Sequence, residues 1–289
     1  MIKFCFKPVS AGGVGMKNQL SQNQELKREL GLFSAIVVVI ANMIGTGIFT
    51  SSGFIIAEVS DPAVFGLCWL AGGLFALCGA LCYGELGVRY PKAGGEYVYL
   101  REAFGPCFGF LSGWLSLIVG FSAPIAAAAM AFATYLISDG ERGIITMTAC
   151  AAILGVTLLH YHSLRLGTRV QNTLTLVKVG LILALVVAAV AAGHGDLTHF
   201  EVGFRNNDLF SSRWAVALIF VSFAYSGWNA AGYLGGEIQR PERNLPRALV
   251  LGTVIVAVCY LALNGVFLYA LAPAEMSGHI DIGAMAATA

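Results

Sequence analysis

Two short strings carry backbone groups that could bind a small solute. The first is Ile44-Gly45-Thr46-Gly47-Ile48, in a stretch without a charged side chain between Glu29 and Glu58. Such a stretch is long enough to cross a membrane. A spanning helix normally satisfies its own N–H and C=O groups, and two glycines around one threonine loosen it at its middle. The freed groups then need partners from protein or from a water-filled cavity. Broken spans hold solutes and ions in this way, through half-helix ends and loose backbone groups near the midplane. The second string is Phe220-Val221-Ser222-Phe223-Ala224-Tyr225-Ser226-Gly227-Trp228-Asn229. Here Ser, Gly and Asn cluster beside aromatic rings that could wall a cavity. Each string alone fits equally well a close helix contact through small residues, with Ser and Asn as hydrogen-bond glue. Found in two corresponding spans, they point to an inverted-repeat binding site.

A third feature is Lys178, in Thr175-Leu176-Val177-Lys178-Val179-Gly180. A charge at this depth costs at least about 2.5–3.5 kcal/mol on insertion scales, so it is a functional candidate by default. The alternative is snorkelling. Lys178 lies only about 13 Å along a helix from Arg169, which marks the membrane edge. A buried cation needs acceptors, and the broken first span is the nearest source of unpaired carbonyls. The ammonium is therefore expected near Gly45 or its neighbours.

The elements that must position these groups are helices. The chain has 289 residues, 57% hydrophobic and 11% charged, which excludes an ordinary soluble domain. Seven windows are long and apolar enough to span: 32–57, 63–86, 104–137, 144–160, 173–193, 214–237 and 248–271. The third contains Pro106 and Pro124 and is expected to be kinked, with an interfacial start. The apolar runs are continuous, unlike the alternating strands of a membrane barrel. Lysine and arginine divide unevenly. One side holds the N-terminal segment and the 87–102, 161–172 and 238–247 loops; the other holds Arg142, Arg205 and Arg213. The asymmetry places the N-terminus in the cytoplasm. The segments are a cytoplasmic stretch 1–31, a five-helix unit 32–193, a loop 194–213, a two-helix unit 214–271 and an extracytoplasmic tail 272–289. No cleavable signal peptide is visible, and Met16 is an alternative start.

Other polar residues have plainer readings. The seven cysteines, Cys5, Cys68, Cys78, Cys82, Cys107, Cys150 and Cys259, form no metal-ligand spacing and read as small apolar packing residues. Glu85 and Glu237 end the second and sixth spans near Arg89, Arg240 and Arg243, and are expected to form ion pairs there. His160 and His162 fall at the end of the fourth span, as interfacial residues. Gly109-x-x-x-Gly113 fits close packing. No catalytic constellation occurs. Gly45-Thr46-Gly47 lacks the third glycine and the preceding strand of a dinucleotide fingerprint. A seven-helix receptor matches by count but would place its N-terminus outside, and no channel filter motif is present. The basic residues form no nucleic-acid stripe.

The strings ANMIGTGIFTSSG, ELGVRYPKAGGEYVYLREAFGP and FAYSGWNAAGYLGGEIQRPERNLPRA resemble the amino acid–polyamine–organocation superfamily, closest to its L-type and bacterial amino acid permease branch. The resemblance runs from about residue 25 to 271. It implies an all-α polytopic membrane protein of the leucine-transporter-like fold, five helices followed by five in inverted topology. Only the first seven are present. A fragment or a truncated product of an amino acid transporter is therefore expected, and the alternative to transport is a non-transporting truncated membrane protein or a seven-helix channel or receptor.

The resemblance also implies roles. The backbone at Ile44, Gly45, Thr46, Gly47 and Ile48 would receive an amino acid's carboxylate. Carbonyls around Phe223, Ala224, Ser226 and Gly227 would receive its ammonium, with Phe223 as the gating aromatic. Trp228 and Asn229 would be structural, Asn229 tying the unwound segment to its neighbours. Lys178 would stand near where sodium binds in sodium-coupled relatives, bracing the broken first helix or carrying a proton. Transport would be sodium-independent, by exchange or proton coupling. The implied partners are an amino acid and membrane lipid. No cofactor, metal or nucleic acid is implied. The loop Ser138-Asp139-Gly140-Glu141-Arg142-Gly143 lacks the cysteine that would link a heavy subunit.

Overall fold

The computed structural model describes residues 28–137, 141–193, 195–201 and 211–289. The N-terminal segment through Lys27, residues 138–140 and Arg205 lie outside the described residues, and with them Met16 and Cys5. The described chain is helical. Its only pairing of the strand type is a single bridge between Leu30 and Ile238.

The first apolar window is two helices, α1 (Leu32–Met43) and α2 (Gly47–Val59), whose axes meet at 45°. Ser60 in the left-handed conformation ends α2. Asp61 then caps α3 (Pro62–Arg89), its Oδ1 accepting from the Ala63 and Val64 N–H groups, with Pro62 in the first turn where its missing N–H costs nothing. A short helix α4 (Glu96–Phe104) follows Gly94 and Gly95. The third window opens with Pro106 at the start of α5 (Pro106–Leu115) and passes through a π-helical segment, Ser116–Ser122, before α6 (Ala123–Leu136). Pro124, with no N–H to give, sits just past that segment. The wider winding answers the proline.

Next come α7 (Arg142–His162) and α8 (Leu164–Ala192), the latter capped by Ser163. The sixth window is interrupted: α9 (Ser212–Ala224) ends in a turn over Tyr225–Asn229, and α10 (Ala230–Tyr233) is one turn long. Pro241 opens α11 (Pro241–Ala270), and two short helices, α12 (Pro273–Met276) and α13 (Ile282–Thr288), close the chain. Among the described residues, five unbroken helices can cross a membrane, or six with α1 and α2 taken as one bent span. The one remaining expected span, the sixth window, is the interrupted α9–α10 segment.

The core lies between α3 and α11, with α1, α2 and α9 packed against them. Trp69, Tyr225 and Tyr260 form its centre, their rings 5.1–5.9 Å apart. The helices α6, α7 and α8 bury little of their apolar surface within the described residues. Cysteines follow this division: Cys68 and Cys259 are buried, whereas Cys78, Cys82, Cys107 and Cys150 are exposed on apolar helix faces rather than packed inside. Gly109 and Gly113 pack closely, though against Arg101 and Tyr97 of the short α4 rather than another span.

Candidate functional site

The chain leaves helical hydrogen bonding at Ile44. Its N–H still donates to Ile40, but the Gly45 N–H turns back to Met43 O. Regular bonding resumes when Phe49 and Thr50 donate to Thr46 O. Between them, the N–H groups of Thr46, Gly47 and Ile48 donate to no protein acceptor among the described residues. These three are the free donors at the N-terminus of α2, where the helix dipole also favours an anion. The donor set is narrower than the string suggests, since Ile44 and Gly45 already spend their hydrogens.

The second break mirrors the first. Tyr225 N–H donates to Val221 O and Ser226 N–H to Phe223 O, after which Gly227 takes a φ of 96° that L side chains rarely adopt. α2 packs along α9, and α10 along α1, so the two broken segments run antiparallel with their breaks facing. Each glycine meets the opposite backbone. A Cβ on Gly47 would sit 3.3 Å from the Ala224 Cα, and one on Gly227 would sit 2.7 Å from the Asn42 carbonyl oxygen. The small residues therefore do both things sequence reasoning allowed: they pack two segments closely and they break two helices.

Phe223 is largely exposed, with its ring beside Gly47, and Ser226 is exposed in the turn. Lys178 reaches from α8 to the first break. Its Nζ donates to Ile44 O at 2.6 Å. Ile44 lies two residues before the first free donor, Thr46, so a cation is fixed at the C-terminal end of α1, the negative end of its dipole.

Asn229 Nδ2 donates to Glu96 Oε1, and Tyr233 O–H donates to Glu96 Oε2 at 2.9 Å. Glu96 opens α4, so one carboxylate fastens the turn after the second break to the loop helix. Trp228 lies against Gly79 of α3 and stands edge-on to Tyr83 at 4.9 Å. The Glu85 and Glu237 ion pairs expected from sequence are not formed. Among the described residues the ion pair of permanently charged groups is Arg101–Glu102, and His279 Nδ1 lies 3.7 Å from Asp281 Oδ1. Both Glu85 and Arg89 instead line an open groove of about 1020 Å³ beside Pro246, where water can solvate each separately. His160, at the end of α7, has its Nδ1 3.0 Å from Val156 O.

Sequence reasoning passed over two groups that act at the breaks. Glu96 is one. The other is Tyr260, fully buried on α11, whose hydroxyl lies 2.6 Å from Met43 O and 3.2 Å from Ala224 O. One signal was available: Tyr260 and Asn264 are polar residues at i, i+4 in a largely apolar span, and such a stripe in a membrane helix marks a face turned inward. Asn264 completes that stripe, its Oδ1 2.7 Å from Ser52 Oγ of α2.

Two facing broken helices in an all-helical membrane protein, with free N–H groups at one break and a lysine braced against it, are the architecture of the broken-helix fold. Residues 30–289 match the amino acid permease family, and the chain belongs to it. It is 35% identical over 260 residues to the b(0,+)-type amino acid transporter 1 of Mus musculus, an alignment covering 87% of this chain and 53% of that protein. It is 34% identical over 258 residues to the protein of the same name from Homo sapiens, covering 86% and 53%. To the large neutral amino acids transporter small subunit 2 of Oryctolagus cuniculus it is 32% identical over 284 residues, covering 94% and 51%. The chain spans about half the length of these curated relatives.

Proposed function

We propose that this chain forms the substrate-binding part of an amino acid permease working by alternating access without sodium. The observation that carries the reading is the pairing of three unused N–H groups, at Thr46, Gly47 and Ile48, with the Lys178 ammonium on the adjacent Ile44 carbonyl. The free donors fit the carboxylate of an α-amino acid. The carbonyls of the facing break, around Phe223, Ala224 and Ser226, are acceptors of the kind an α-ammonium requires. Phe223 stands beside Gly47, where a ring could cover a bound solute. Lys178 supplies a fixed positive charge where a cation-coupled carrier would need a metal ion, which is why sodium is not required.

The relatives' printed names support the substrate class, one naming large neutral amino acids. The charge asymmetry of the loops supports a plasma-membrane orientation with a cytoplasmic N-terminus. One relative is described as a small subunit. For this chain no disulfide-linked heavy subunit is proposed, because the loop at 138–143 has no cysteine.

The test is uptake by the complete gene product in proteoliposomes. Labelled neutral amino acids should enter vesicles preloaded with unlabelled ones, at rates unchanged when external sodium is replaced by choline. Entry that rises steeply with sodium, or no entry of any amino acid, would refute the reading.

A further inference from the structure

Tyr260 presents one hydrogen to two acceptors. Its hydroxyl lies 2.6 Å from the carbonyl oxygen of Met43, at the end of α1, and 3.2 Å from that of Ala224, at the end of α9. A phenol has a single O–H to donate. The two carbonyls come from the two helix breaks, and the residue that bridges them comes from a third helix, α11. Tyr260 is fully buried and wedged between Trp69 and Tyr225, whose ring centroids lie 5.7 and 5.1 Å away, so it has no room to choose other partners.

The two acceptors are not equally served. Met43 O also receives the Gly45 N–H at 3.0 Å. Ala224 O belongs to a buried residue and, among the described residues, has only the longer, shared half of the phenol's bond. A buried carbonyl left short of a donor is costly, and any cation or N–H group that reaches it relieves that cost.

We infer that Tyr260 is a positioning residue that shares its hydroxyl hydrogen between the two broken helices and so reports occupancy of one break to the other. The inference rests on the amino acid reading above. With the site empty, the hydrogen is divided. An ammonium arriving at the second break adds its own hydrogen bond to Ala224 O, and the phenol hydrogen moves wholly to Met43 O. Occupancy at the second break thereby tightens the first, next to the carbonyl that Lys178 holds. The phenol also competes with the ammonium, so it weakens binding while it transmits it.

This arrangement has a kinetic signature that loss of packing does not share. In the complete gene product, Tyr260→Phe keeps the ring and removes only the competitor. KM for the amino acid should fall about threefold, on the order of one net neutral hydrogen bond. Turnover should fall as well, because the link between the breaks is gone. Replacing Tyr260 with 3-fluorotyrosine keeps the fold and makes the phenol a stronger donor, so KM should rise instead. Opposite KM shifts in the two variants, at wild-type membrane abundance, support the inference. A KM that rises in Tyr260→Phe, or moves the same way in both variants, overturns it. So does unchanged kinetics in the fluorotyrosine protein, which reads the shared hydrogen even where Tyr260→Phe folds poorly. Wild-type protein that carries no amino acid would defeat the permease reading as well, whereas normal uptake with unshifted variants defeats this inference alone.

Discussion

The Lys178 ammonium donates to the carbonyl of Ile44 at 2.6 Å, across 134 residues of sequence. Ile44 is where α1 stops, and a carbonyl at a helix end has no intrahelical donor. The lysine supplies that donor and the helix end supplies the negative pole a buried cation needs. Each group removes the other's cost, so the break and the lysine belong to one design.

The first prediction follows. Lys178→Ala leaves the Ile44 carbonyl without its donor and removes the fixed charge. In the complete gene product, uptake should fall at least about tenfold, the cost of a charge-assisted hydrogen bond of about 1.5–3 kcal/mol. Lys178→Arg keeps the charge but not the compact ammonium geometry, and should rescue only partly. Counterflow in proteoliposomes, normalised to protein incorporated, decides the matter. Uptake within twofold of wild type would show that the lysine is merely tolerated.

Phe223 offers a second measurement. Its ring is two-thirds exposed and lies against Gly47, so it contributes little to the core. Phe223→Ala should leave membrane abundance near normal while cutting uptake severalfold through a raised KM, whereas Phe223→Trp should retain more activity. A proportional loss of abundance would instead assign the ring to folding.

Much of this was legible in the strings themselves. Gly45-Thr46-Gly47 and Ser226-Gly227 announce broken helices because glycine removes the side chain that stiffens a span, and an intramembrane lysine announces a partner because it is too costly alone. The positions of the apolar windows follow from length. What the strings could not give is which backbone groups stay free. Ile44 and Gly45 look identical to Thr46 and Ile48 as donors until the turn at Met43 is seen. Glu96 was hidden for a similar reason. It follows two glycines in a loop, and only the fold brings it beneath Asn229 and Tyr233. Glu85 and Glu237 misled because nearness in sequence to arginine says nothing about pairing when water can solvate both.

The Glu96 carboxylate gives a third prediction. It accepts from Asn229 and from Tyr233, and so holds the turn after the second break to α4. Glu96→Ala should lower stability by about 2–4 kcal/mol, because two donors lose a charged acceptor. Glu96→Gln keeps one carbonyl oxygen, turns an N–H₂ toward a donor, and should cost about half as much. Thermal unfolding in detergent reads both. Equal transition temperatures for wild type and Glu96→Ala would show that water replaces the carboxylate without loss.

The two breaks also differ in why each glycine is there, and alanine substitution separates the reasons. Gly227 has a φ of 96° and faces Asn42, so a methyl group meets both backbone strain and a carbonyl oxygen 2.7 Å away. Gly227→Ala should cost about 1–3 kcal/mol from the backbone alone, more with the clash, and should reduce folded protein in the membrane. Gly45 has neither restriction: a Cβ there meets nothing within 4 Å and its φ is ordinary. Its missing side chain borders open space, one residue from the first free donor, Thr46. Gly45→Ala should therefore fold normally and still lose uptake, with KM rising several-fold as the methyl group crowds the carboxylate position. Abundance by surface labelling and KM by initial-rate uptake give the two readouts. If Gly45→Ala proved as poorly folded as Gly227→Ala, the space beside Gly45 would be structural, and the carboxylate would have to bind elsewhere.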